Sequence, residues 1–222
     1  MEWFVCAIAI GAASVSKHVE RDRIFISRPF RLGLFGWLGC CRHIGRLQQA
    51  AVDLFQGKTT TNPAEAREFM TAVIENTDPA AGNIRSAVNF VSSIAGAPKT
   101  AVLGWGFGGT WAVNTASLLR EEVDAAIVYY GQVTSDEAKL RPITAPILGL
   151  FGENDRVVGR ESIEALQMSL DRLRKVYEIQ IYPGAGSGFA NPKSNRYDAA
   201  AADDAWRRTL EFLRVHLEES EE

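Results

Sequence analysis

From about residue 50 onward, short and nearly continuous apolar runs alternate with stretches in which apolar residues return every three or four positions. The runs are Ala50–Phe55, Thr100–Gly104, Ala125–Tyr130, Ile147–Phe151 and Tyr177–Tyr182. The first four have few polar interruptions, as strands covered on both faces do. Helices fit between them. Asn62-Pro63-Ala64-Glu65 reads as an N-cap, a proline at the first helical position and a glutamate placed to return to the cap. Ile163, Leu166, Leu170 and Leu173 share one helical face. Ala202, Trp206, Leu210, Leu213 and Leu217 share another. Repeated strand–helix alternation predicts an α/β fold, a mostly parallel sheet with helices on both faces. Ligands of such sheets sit at the carboxyl ends of the strands.

The first fifty residues read differently. Residues 3–15, WFVCAIAIGAASV, are too few to span a bilayer, and Glu2 stands where a signal peptide carries positive charge. They predict a first strand or helix of the core, with a secretory signal as the alternative. Residues 16–49 show no clean alternation and weak turn signals. With no repeat, linker or composition break, residues 1–222 are expected to form a single domain in which residues 1–49 are atypical.

Composition removes several classes of function. The net charge is −3, without the clustered Lys and Arg that a nucleic-acid surface needs. The acidic end, Glu218 to Glu222, reads as a solvated tail. Three cysteines, Cys6, Cys40 and Cys41, have no framework or zinc spacing, which points to a reducing compartment and no metal site.

Three loops after strands carry the candidate chemistry. Gly104-Trp105-Gly106-Phe107-Gly108 matches the nucleophile elbow G-x-nucleophile-x-G except at its centre, where Gly106 has no side chain. The Phe107 amide at the following helix start can still serve as an oxyanion donor. Asp155, in Gly152-Glu153-Asn154-Asp155, stands where an acid orients a histidine. Alone it reads equally well as a surface turn residue; the neighbouring loops favour the site. The third loop, Pro183 to Phe189, places Ser187 at the general-base position, and serine is no base near neutral pH. The three histidines are His18, His43 and His216. His216 reads as solvated or capping late in the last helix, and the other two as structural.

At these loops the chain resembles the dienelactone hydrolase family of the α/β-hydrolase fold. The matching segments are AVDLFQGK, GWGFGG, APILGLFGENDRVV and YPGAGSGFANPKSNRYDAAAADDAWRRTLEFL, collinear from about Ala50 to Leu217. The resemblance implies a cytoplasmic, cofactor-free relative of carboxylic-ester and lactone hydrolases, carboxymethylenebutenolidase-like, acting on small esters or lactones. It puts the family's cysteine or serine nucleophile at Gly106, its acid at Asp155 and its histidine at Ser187. Thus only Asp155 of the triad is retained. The family's substrate-holding arginine falls at Asn191, and its early Arg-Pro at Arg28-Pro29. Its second oxyanion donor comes from a loop with a His-Glu pair, absent from Phe30 to Gln49.

Three readings follow. The first is a family member impaired in catalysis by Gly106 and Ser187. The second is an active hydrolase with a rearranged site using Asp155. The third is a dinucleotide-binding protein, because Gly104, Gly106 and Gly109 also spell G-x-G-x-x-G after a strand. That fingerprint wants an acid at the end of the next strand. The strand ends Tyr129-Tyr130-Gly131, and Asp124 lies at its start.

Overall fold

The strands β4 (Lys99–Trp105), β5 (Ala125–Tyr129) and β6 (Ile147–Gly152) are apolar almost throughout because both their faces are covered. Every residue of β5 and β6 is buried, as are the inner five of β4. Their side chains alternate between two cores. Ala101, Leu103, Ala125, Ile127, Tyr129, Leu148 and Leu150 pack with the last helix. Val102, Ala126, Val128, Ile147 and Phe151 pack on the other side. This is the period-two alternation of a pleated strand, applied to a sheet with no wet face.

The computed structural model describes residues 5–10, 24–26, 47–94 and 98–217. Four more strands lie within them: β1 (Val5–Ile10), β2 (Ile24–Ile26), β3 (Leu47–Val52) and β7 (Tyr177–Tyr182). All join one seven-stranded sheet of order β2-β3-β1-β4-β5-β6-β7. Strands β4 to β7 are parallel, and β3 shares their direction because both β3 and β4 run antiparallel to β1. Only β1 and β2 oppose the others, so the expected mostly parallel sheet is present. Within the first predicted segment, Val5–Ile10 form a strand rather than a helix.

Helices α1 (Pro63–Glu75), α2 (Asp78–Asn89), α3 (Phe107–Leu118) and α5 (Arg160–Arg172) bury their apolar stripes on one face. Helix α6 (Ala199–Leu217) covers the opposite face. A π-helical turn, Phe90–Ile94, extends α2, and a one-turn helix α4 (Glu137–Leu140) precedes β6. The predicted stripes hold: Ile163, Leu166 and Leu170 are buried on α5, and Ala202, Leu213 and Leu217 on α6. Trp206 and Leu210 are partly buried against the same core.

Two local expectations need correction. The first predicted run ends at Val52, not Phe55, because the Asp53 carboxylate captures the amides of Phe55 (2.7 Å) and Gly57 and turns the chain out of the ladder. At α1, Asn62 caps as expected, accepting the Ala64 amide at 2.9 Å. Glu65 does not return to the cap: it accepts the Thr60 hydroxyl, and Thr60 Oγ1 accepts the Asn62 amide at 3.0 Å.

Candidate functional site

The elbow forms. At Gly106 the backbone takes φ 55° and ψ −121°, so β4 stops and α3 begins within one residue. Such φ values suit glycine, which has no Cβ to clash. The Gly106 amide donates to the Tyr129 carbonyl at 2.9 Å, and its carbonyl accepts the Thr110 amide at 3.2 Å. The turn is tight enough that a Cβ on Gly104 would lie 2.1 Å from the Gly108 carbonyl oxygen. Phe107 occupies the first position of α3, where an amide has no intrahelical acceptor. Its ring stacks on Phe55 at 6.0 Å between centroids, and Phe69 lies 6.2 Å beyond. These rings give the elbow an apolar side. The second oxyanion donor expected from the loop before Ala50 falls on residues outside those described.

The acid and base loops are stitched together by the backbone. The Asn154 amide donates to the Ala185 carbonyl at 2.8 Å, and the Glu153 amide to the Tyr182 carbonyl at 3.0 Å. The Glu153 carboxylate accepts the Gly184 amide at 3.1 Å. Asp155 is 7% exposed, so it is no surface turn residue, although it does organise a turn. Its Oδ1 accepts the amides of Val157 (2.7 Å) and Val158 (3.1 Å). Its Oδ2 is buried and meets no donor among the described residues. In a charged carboxylate this is costly, and native proteins rarely leave it so. Ser187, partly buried, lies on the wall of the cleft beside this turn.

The end of β5 lies between the elbow and these loops: the Tyr129 carbonyl holds the Gly106 amide, and Tyr130 follows it. This residue follows β5, is 5% exposed and has φ 41°, uncommon for a residue with a Cβ. Its amide donates to the Leu150 carbonyl at 2.8 Å, and its ring meets Phe189 edge-on at 5.2 Å. Burial raises the Tyr130 phenol above its ordinary pKa, with Arg196 opposing and Asp155 adding to the shift. The phenol therefore sits within electrostatic reach of both charges. A cleft of about 500 Å³ between the acid and base loops is lined by Arg156, Ser187 and Arg196, with Asn154, Tyr197 and Asp198. Sequence reasoning missed Tyr130, Arg156 and Arg196. The signal available was position: Tyr130 follows a buried strand at the sheet end that holds Gly106 and Asp155.

Other candidates fall away from this place. His216 is half-buried rather than solvated, its ring 4.4 Å from that of Phe212 and its carbonyl accepting Lys99 Nζ at 3.2 Å. Lys99 begins the seven-residue β4 and Gly106 follows its end, which separates them by roughly 20 Å. Asn191 is a turn residue, its Oδ1 accepting the Lys193 amide at 3.0 Å. Asp124 holds the Thr100 amide at 2.7 Å, at the end of β5 opposite the elbow, where it cannot meet a ribose bound there. Cys6 lies in β1; Cys40, Cys41, His18, His43, Arg28-Pro29 and Glu218–Glu222 lie outside the described residues. Among the described residues no helix is long and apolar enough to cross a membrane, and no cluster of three or more His, Cys, Asp or Glu could hold a metal ion.

Comparison with known proteins gives the family. The chain is 33% identical over 121 residues to an Escherichia coli K12 protein provisionally named carboxymethylenebutenolidase, covering 50% of this chain and 44% of that one. It is 28% identical over 179 residues to protein Usf of Aquifex pyrophilus, covering 75% and 74%. The chain thus spans less than half of the first relative's length. A dienelactone hydrolase-like promiscuous phosphotriesterase from metagenomic libraries shares the fold, with a TM-score of 0.69 at 16% identity over 76% of this chain and 74% of that one. The family model for dienelactone hydrolases matches residues 50–217, the same stretch that builds the elbow, the Asp155 turn and the Ser187 loop, and the chain belongs to the dienelactone hydrolase family.

Proposed function

We propose that this chain keeps the ligand-binding scaffold of its family, takes small ester- or lactone-like molecules at the strand ends, and lacks the ordinary thiol-ester chemistry. The carrying observation is the elbow: its backbone has the geometry that presents a nucleophile, and the residue presented, Gly106, has no side chain. The buried Asp155 Oδ2 supports the same reading from the other side, since the group that would receive its help is Ser187 rather than a base. Phe107 is the remaining oxyanion donor. In other enzymes, removal of triad members leaves roughly a thousandfold acceleration over water, so a trace of hydrolysis fits the reading. The reading treats residues 1–222 as one domain in a reducing, cytoplasmic setting, without a cofactor.

The test is hydrolysis of p-nitrophenyl acetate by the chain and by a Gly106→Cys, Ser187→His variant. The expected result is a saturable activity in the variant that the parent lacks. Substantial activity in the parent, lost on Asp155→Ala with the fold intact, would instead establish a rearranged hydrolase.

A further inference from the structure

β7 is the last strand of the sheet, and its outer side has no neighbouring strand among the described residues. The Val176 carbonyl accepts the Ile147 amide at 3.1 Å, and the Tyr182 carbonyl accepts the Glu153 amide at 3.0 Å. The even-numbered residues thus turn their backbone groups toward β6, and Tyr177, Ile179 and Ile181 turn theirs outward. One outward group is covered: the Gln180 side chain folds round its own strand and donates to the Ile181 carbonyl at 2.9 Å. The side chains of Tyr177, Ile179 and Ile181 pack on the core but stay partly exposed. Val176, entering the strand, is 65% exposed.

An edge of this kind is a template for another strand. Here the sequence complements itself about Ile179. When a second β7 runs antiparallel with Ile179 opposite Ile179, Tyr177 falls opposite Ile181, Val176 opposite Tyr182 and Glu178 opposite Gln180. Aliphatic and aromatic side chains meet one another, and each carboxylate meets an amide donor. The Tyr177 amide takes over the Ile181 carbonyl, which frees Gln180 to reach that glutamate. The neighbouring registers fail. Shifted one way, Glu178 faces Glu178; shifted the other way, Tyr177 faces Pro183, which has no amide to give. In the favoured register Pro183 falls opposite Lys175, whose amide the Leu170 carbonyl already holds at 2.9 Å, so the pairing ends without stranding a donor.

We infer that β7 is a self-recognition edge: two copies of this chain join β7 to β7 about a two-fold axis at Ile179, making one continuous sheet of their two seven-stranded sheets. The partner is a second copy because the complement of each edge residue lies on the same strand, as a two-fold contact requires. The pairing uses neither Gly106 nor Asp155, so it stands apart from the proposed ligand site.

Sedimentation velocity of the unmodified chain, from micromolar to near-millimolar concentration, tests this. A reversible monomer–dimer equilibrium is expected. Ile179→Pro should leave a monomer with an unchanged circular dichroism spectrum, because the Ile179 amide faces outward and proline there costs no bond to β6. Gln180→Glu sets glutamates against each other across the axis and should weaken dimerisation at least tenfold. Adding Glu178→Gln restores one carboxylate and one amide to each pair, and should return the affinity to within about threefold of the parent. That rescue reads the register even where Ile179→Pro does not fold. A monomer at every concentration overturns the inference. So does a dimer that folded Ile179→Pro leaves intact, or one that Gln180→Glu does not weaken and the exchanged pair does not rescue.

Discussion

Asp155 accepts the Val157 amide at 2.7 Å through Oδ1, and this bond holds its other oxygen in a buried position with no donor among the described residues. The two oxygens therefore do opposite things for stability. Asp155→Ala removes both and leaves the Val157 and Val158 amides without their acceptor, an expected loss of about 1–3 kcal/mol. Asp155→Asn keeps the acceptor toward the turn and removes the buried charge, so it should stay within about 1 kcal/mol of the parent. Urea unfolding of the three proteins measures this, and an Asn variant as unstable as the Ala variant would contradict it.

Ser187→His tests whether Asp155 Oδ2 can still take a partner. An imidazole N–H donated to a buried carboxylate contributes about 1.5–3 kcal/mol when geometry is good. The expected outcome is a raised urea midpoint in Ser187→His that disappears when Asp155→Asn is added. A double-mutant cycle isolates the interaction. A coupling below about 0.5 kcal/mol would mean that the loop no longer brings position 187 onto the carboxylate.

Most of the fold could be read in advance because fully covered strands have little choice of residue. β4, β5 and β6 are apolar on both faces, and the helices between them carry one-sided stripes. The elbow and the Asp155 turn were legible for a related reason: tight turns after buried strands constrain residue type strongly, as Gly104 illustrates. Arg156, Arg196 and Tyr130 were not legible. Nothing local marks an exposed arginine as belonging to a cleft, and only the docking of the β7–α6 loop on the β6–α5 loop brings these residues together. The direction of β1 was also hidden, since an apolar run reads the same parallel or antiparallel. The end of β3 was misread because the apolar pattern continues through Leu54 and Phe55, while the Asp53 side chain had already bent the backbone.

Asp204 gives the protein an acid-sensitive contact. Desolvation pushes its pKa up, but hydrogen bonds from Arg208, Arg207 and Tyr182 outweigh it and hold the carboxyl down from 3.8 to about 2. A depressed folded-state pKa contributes stability above the unfolded value and loses it as pH falls. The contribution should thus be complete above about pH 5 and disappear as pH drops from 3.8 toward 2. The partners lie near the surface, so it is under about 1 kcal/mol. Asp204→Asn should flatten that stretch of a stability–pH curve relative to the parent. Parallel curves between about pH 4 and pH 2, measured by urea midpoints, would show that the pairing contributes nothing.

Restoring a nucleophile at the elbow should cost stability. At Gly106, φ is 55° and ψ is −121°, a region in which a residue with a Cβ carries about 1–3 kcal/mol of strain. Gly106→Cys and Gly106→Ala should both be destabilised by that amount, with the thiol adding little of its own. Gly104→Ala should be worse, because its Cβ would fall 2.1 Å from the backbone oxygen of Gly108 and cannot be accommodated by rotating a side chain. The glycine at 106 thus relieves strain that an active elbow must bear, the exchange of activity for stability seen when catalytic residues are replaced. Thermal unfolding of Gly106→Ala decides the matter. A melting temperature equal to the parent's would mean that the turn relaxes around the new side chain, in which case the elbow would not hold an introduced thiol in the presenting geometry.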